Sequence, residues 1–98
     1  MKLIDQQPHF WELYQDGSNY YFSIAVDMSS VVSCWDLALT IDEIQQYQKN
    51  GRVIIEDLAN LIVKETYRGD FSTLASRKVS EQIEQQIQIA FQAWRTTQ

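Results

Sequence analysis

The chain has 98 residues, 45% of them hydrophobic, which is enough for one hydrophobic core and too little for two. Its formal net charge of −5 argues against a nucleic-acid binder, because phosphate recognition needs the opposite sign. One Cys and one His leave neither an internal disulfide nor a Cys/His zinc cluster, and no run of about 18 apolar residues occurs to span a membrane.

The charge is unevenly spread. Residues 1 to 40 hold five carboxylates against Lys2, a balance of −4, whereas residues 41 to 98 hold eight against seven bases, a balance of −1. A basic protein is the natural complement of such a surface. The opening MKLIDQQP has no hydrophobic signal-peptide core, and no Asn-X-Ser/Thr acceptor occurs, so the expected setting is cytoplasmic.

In chain order, residues 1 to 8 are open between an irregular segment and a further strand. Two alternating runs, His9 to Gln15 and Tyr20 to Asp27, flank DGSN, and Asp-Gly between such runs signals a hairpin turn. A third run, Val31 to Thr40, follows the connection MSS with the same β-branched and aromatic bias. Residues 9 to 40 are thus read as a three-stranded antiparallel meander.

Helix signals then begin together. Thr40 with Glu43 matches a capping box, and Asn50-Gly51 suits the end of the short helix it opens. Ile54, Ile55, Leu58, Ala59, Leu61 and Ile62 recur at three- and four-residue spacing in a second helix that runs from Arg52 to about Tyr67. YRGDFS breaks the pattern, and Val79, Ile83, Ile87, Ala90, Phe91 and Trp94 form one stripe on a long third helix. The expectation is a single α+β domain over residues 1 to 98, with about three C-terminal helices in residues 41 to 98 packed on one face of the meander.

The period-2 rule sorts the strands into faces. Trp11, Leu13, Tyr20, Phe22, Ile24, Val26, Val31, Trp35, Leu37 and Leu39 fall on the core side. The other side receives Phe10, Glu12, Tyr14, Tyr21, Asp27, Cys34 and Asp36 among others. Tyr14 and Tyr21 are expected neighbours across the hairpin. Aromatic pairing of that kind stabilises a sheet by about 0.2–1 kcal/mol per pair. Aromatic and acidic groups together on a rigid platform are also the composition of a surface that binds a cationic protein. On that ground Phe10, Glu12, Tyr14, Tyr21, Asp27 and Asp36 are the candidate partner-binding residues. Open beside this is that the long C-terminal helix or a second copy of the chain covers the same face.

Little else carries chemistry. Asp42-Glu43 and Glu56-Asp57 are adjacent acidic pairs, but on a helix neighbours point about 100° apart, and acids in a first turn complement the helix dipole. His9 has no acidic or nucleophilic partner at a recognisable spacing. Cys34 has Val32 and Asp36 beside it on its strand face, a setting without a base or a positive charge. Arg68-Gly69-Asp70 reads as a turn between helices. No catalytic residue, cofactor site or metal site is expected.

The Trp-rich hairpin, the third strand running into ALTIDEIQQYQKNGRVIIEDLANLI and the Gln-rich last helix together resemble the small α+β immunity proteins that bacteria carry beside polymorphic toxins, including contact-dependent growth inhibition systems. The resemblance implies a cytosolic, non-enzymatic protein that binds a cognate toxin domain, often a basic nuclease. It carries over no individual binding residue, because such proteins bind different toxins by different surfaces. The partner expected is therefore a basic protein effector domain, with no direct contact to nucleic acid or membrane and a monomeric state favoured. Two other readings stay beside it. One is a homo-oligomeric structural or regulatory module that uses the same outer face, and the other is a small enzyme that uses carboxylates such as Glu12 and Asp36.

Overall fold

Four strands, Lys2–Gln7 (β1), Trp11–Asp16 (β2), Asn19–Met28 (β3) and Val31–Ala38 (β4), pair antiparallel in the order β1-β2-β3-β4. Four helices follow: Ile41–Asn50 (α1), Arg52–Tyr67 (α2), Ser72–Arg77 (α3) and Glu81–Thr96 (α4). This computed structural model describes residues 1–28 and 31–97. The predicted connection at Ser29 and Ser30 lies outside the described residues.

The α+β class holds, but the three-stranded, one-faced architecture does not. The first correction is β1. Its sequence is short and polar, as suits an edge strand, and alternation is lost where the register shifts between Leu3 and Asp5. A turn joins it to β2: the Phe10 N–H donates to the Gln7 carbonyl at 3.0 Å, and His9 takes a φ of 66° behind Pro8. Pro followed by a residue of positive φ is the pattern of a type II turn. The second strand therefore begins at Trp11 and not at His9.

The hairpin forms in the expected register, with Trp11 opposite Ile24, Tyr14 opposite Tyr21 and Asp16 opposite Asn19. Gly17 supplies the positive φ, 62°, that the two-residue turn requires. Face assignment follows. Trp11, Leu13, Tyr20, Phe22, Ile24, Val26, Leu37 and Leu39 are buried in one cluster with Ile55, Leu58, Ala59 and Ile62 of α2 and Leu74 of α3. Each large side chain so buried contributes about 1.5–3 kcal/mol. Trp35 is partly buried against this cluster, while Val31, at the last β3–β4 pair, is 63% exposed.

Local signals placed α1 and α2 well. The Thr40 hydroxyl accepts from the Glu43 N–H at 3.2 Å and the Glu43 carboxylate accepts from the Thr40 N–H at 2.9 Å, completing the capping box. Arg52 at the start of α2 clamps the β1–β2 end. Its guanidinium donates to Asp5 at 3.0 Å, to the Gln6 carbonyl at 2.9 Å and to the Gln7 side chain at 2.6 Å, and it lies 4.9 Å from the Trp11 ring centroid.

The RGD stretch stops one helix and starts another. The Gly69 N–H donates to the Thr66 carbonyl and the Asp70 N–H to the Glu65 carbonyl, the paired bonds of a Schellman stop, with Gly69 at φ 79°. The Asp70 carboxylate then accepts from the Ser72 N–H at 3.0 Å and from its hydroxyl at 2.6 Å. The short α3 that follows was hidden in a segment whose pattern only said that α2 had ended.

The second correction concerns α4. Lys78 bridges Leu37 in antiparallel fashion and the Val79 N–H donates to the Asp36 carbonyl at 3.1 Å, so the chain passes along the outer edge of β4. It emerges on the opposite face of the sheet, where Ser80 caps α4 by accepting from the Ile83 N–H. Ile87 and Ala90 bury there against Tyr14, with Met1, Leu3, Tyr21, Val79, Ile83 and Phe91 packed around them. The helices therefore cover both faces. An amphipathic stripe shows that a helix has an apolar side without saying which side of a sheet it will meet.

Candidate functional site

The face covered by α4 carries all the candidate binding residues except Phe10, and its coverage is partial. α4 lies over the β1–β2 side, packing Leu3 and Tyr14. Over β3 and β4 it stands clear and leaves a cleft of about 810 Å³. The floor is formed by Glu12, Tyr14, Ser23, Ala25, Cys34 and Asp36, and the α4 wall by Gln85, Gln88, Phe91 and Gln92.

Two carboxylates dominate the floor. Glu12 pairs with Ser23 in the β2–β3 register, and Ser23 with Asp36 in the β3–β4 register, so all three stand in one row across the sheet. At about 4.8 Å between neighbouring strands, the backbones of Glu12 and Asp36 are roughly 10 Å apart. The Ser23 hydroxyl donates to Asp36 at 2.6 Å, and the Tyr14 hydroxyl reaches Glu12 at 3.5 Å.

Burial raises the pKa of Glu12; the Tyr14 hydroxyl bond opposes that shift, and the negative charge of Asp36 adds to it. Burial, with both carboxylates nearby, also pushes the Tyr14 phenol well above its ordinary range. Among the described residues no Lys, Arg or His lines the cleft. The charged pairs lie elsewhere: Asp5 and Glu56 with Arg52, Glu43 with Arg77, and Asp16 with the N-terminal ammonium at 3.8 Å.

Of the six candidate residues, the fold brings Glu12, Tyr14 and Asp36 together in the cleft. Tyr14 is only 1% exposed beneath α4, so it is a floor and core residue and not a protruding anchor. Tyr21, its cross-strand partner, is half-buried against the same α4 cluster. Phe10 is a correction: it packs against the cluster on the opposite face, because the Pro8-His9 turn breaks the alternation before Trp11. Asp27 is exposed towards the far end of the β3–β4 ladder, opposite Val32, and outside the cleft.

The sequence leaves open that the last helix covers this face, but not that its glutamines wall a cleft. Gln85, Gln88 and Gln92 fall at spacings of three and four, a helical face of one side-chain type, which was readable as a signal but looked like an ordinary solvated side. The same helix occupies the space that a flat sheet-to-sheet contact between two copies would use. Among the described residues no group of three or more His, Cys, Asp or Glu is placed to hold a metal ion, and no helix is long and apolar enough to cross a membrane. Comparison with protein-family models, with curated proteins and with solved structures found no match.

Proposed function

We propose that the protein is a non-enzymatic inhibitor that binds and neutralises a basic protein partner, as an immunity protein does with a cationic, nuclease-type toxin domain. The observation that carries this reading is a pair of carboxylates, Glu12 and Asp36, that share a cleft in which, among the described residues, no cationic side chain meets them. Asp5, Glu43 and Glu56 are matched by Arg52 and Arg77 on the side of α1 to α3. On the α4 side, Glu12 and Asp36 have only hydroxyl partners. Carboxylates that fold without a counter-charge keep their attraction for an incoming cation and steer its approach. Blocking is then stoichiometric: Lys or Arg groups that would hold nucleic-acid phosphates are occupied by these acids.

The test is capture of the tagged protein's partners from its native cell extract at low and high salt, read by mass spectrometry. A one-to-one basic partner that is released by salt, and less well retained by Glu12→Gln with Asp36→Asn than by Asp57→Asn on α2, is the expected result. Equal retention by all forms would remove the α4 face from the reading. Recovery of the chain alone would sink the inhibitor itself.

A second reading has one observation in its favour. The cleft supplies the concavity that a small carboxylate-using enzyme needs, and Glu12, with its raised pKa, is suited to donate a proton. Such an enzyme would form no lasting one-to-one protein complex, which sedimentation of the captured material separates from an inhibitor.

A further inference from the structure

We propose that the cleft between α4 and the β2–β4 face receives an arginine side chain of the protein partner, with Glu12 and Asp36 as its ion-pairing acceptors. This rests on the inhibitor reading and names the chemistry of its central contact.

Size comes first. About 810 Å³ falls within the range of clefts that enclose a ligand, roughly 300–1,000 Å³, and leaves room for an arginine together with the residues that flank it. Charge decides the sign of the occupant. Among the described residues the lining holds two carboxylates and no cationic side chain, so an anion is repelled and a cation is matched. A bare metal ion fits poorly, since two carboxylates on strands separated by β3 are no ligand cage, and among the described residues no group of three or more His, Cys, Asp or Glu is placed to hold one.

The remaining lining selects guanidinium over ammonium. Arginine offers five N–H donors in a plane, and an apolar stem behind them. The cleft offers acceptors spread over two walls: the carboxylates on the sheet, and the side-chain amides of Gln85, Gln88 and Gln92 on α4. Tyr14 lies beneath them in the floor, where its hydroxyl donates to Glu12 at 3.5 Å. Phe91, on the wall, provides a ring against which a guanidinium plane stacks. Mutual repulsion between the two acids adds to the burial that holds the pKa of Glu12 up. An arriving cation relieves that repulsion.

Cys34 is the only cysteine, is exposed and lines the same cleft, so its alkylation reports occupancy. The probe is a terminally blocked pentapeptide with arginine at its centre and glycine elsewhere, compared with its lysine and citrulline counterparts. The arginine peptide is expected to shift the amide resonances of Glu12, Ser23 and Asp36 and to slow alkylation of Cys34. Lysine should do so more weakly and neutral citrulline not at all. The double variant Glu12→Gln, Asp36→Asn should bind the arginine peptide about tenfold more weakly or worse, and Asp57→Asn should bind it as the parent does.

Absence of shifts at the highest soluble peptide concentration, or equal binding by the double variant, overturns the assignment. The two proposals fail separately. A captured basic partner whose affinity ignores the double variant overturns the cleft while the inhibitor stands. An arginine peptide held in the cleft, with no basic partner recovered, sustains the cleft chemistry and sinks the inhibitor.

Discussion

Tyr14 faces Tyr21 across the β2–β3 ladder, and α4 closes over the pair so that Tyr14 is almost wholly buried against Ile87 and Ala90 while Tyr21 stays half-exposed. The two tyrosines of one cross-strand pair therefore have different roles. Tyr14 ties α4 to the sheet and Tyr21 borders the covered patch.

Tyr14→Ala is accordingly a stability change before it is a binding change. Truncating a buried aromatic leaves a cavity and costs about 3–5 kcal/mol. Urea unfolding is the check, with Tyr21→Ala expected to cost clearly less. A Tyr14→Ala midpoint close to that of the parent would mean that α4 does not pack on this residue in solution.

Glu12 makes stability depend on pH in a defined direction. Its pKa in the folded protein lies above the ordinary value of 4.5, so between that value and the raised one the folded state binds more protons than the unfolded state. Stability from this group is full below pH 4.5 and is lost as pH rises through the raised value. The groups facing it are Tyr14 and Asp36 on the sheet, and the α4 residues that line the cleft carry no titrating group. Glu12→Gln should therefore raise the melting temperature relative to the parent at pH 7 and leave little difference at pH 4. The opposite order in a pair of thermal scans would show that Glu12 is stabilised as the anion.

Arg52 is predicted to hold the edge strand. Arg52→Ala removes its bonds to Asp5, Gln6 and Gln7 and its place over Trp11, at a cost of about 1–3 kcal/mol. Hydrogen exchange localises the effect: amides of β1 should lose protection while those of β3 keep theirs. Uniform loss across the sheet would argue that Arg52 acts on the whole fold and not on its edge.

Gly69 tests the reading of the RGD stretch as a helix stop. A Cβ at this position would meet nothing within 4 Å, so any cost of Gly69→Ala comes from its φ of 79° alone. That cost is about 1–2 kcal/mol, measured by denaturant titration. Gly69→Asn, which tolerates the left-handed region, should recover part of it. No loss in the alanine variant would mean that the loop relaxes to another conformation.

Several features were legible because they are local. The capping box at Thr40 and Glu43, the Asp16-Gly17 hairpin and the α2 stripe each depend on groups within a few residues of one another, and all three stand where the pattern put them, except that Leu61 of the stripe is 49% exposed. β1 was not legible. Six polar-rich residues with a bulge alternate too poorly to announce a strand, and only the ladder to β2 reveals it. Phe10 was misplaced for a related reason, since strand parity holds only within an unbroken strand.

The sequence by itself determined the α+β class, the core face of the hairpin, the bounds of α1 and α2 and the excess of acid in the sheet half, because hydrophobic period, capping chemistry and formal charge are all written along the chain. Tertiary structure alone decided that α4 crosses the edge of β4 to the other face. That crossing buries Tyr14, gathers Glu12 and Asp36 opposite three glutamines and turns a face expected to be flat into a cleft. An amphipathic helix can satisfy its stripe on either side of a sheet that offers it an apolar patch, as Leu3, Tyr14 and Tyr21 do on the α4 face, and the choice depends on the path and packing of the chain, which no local pattern encodes.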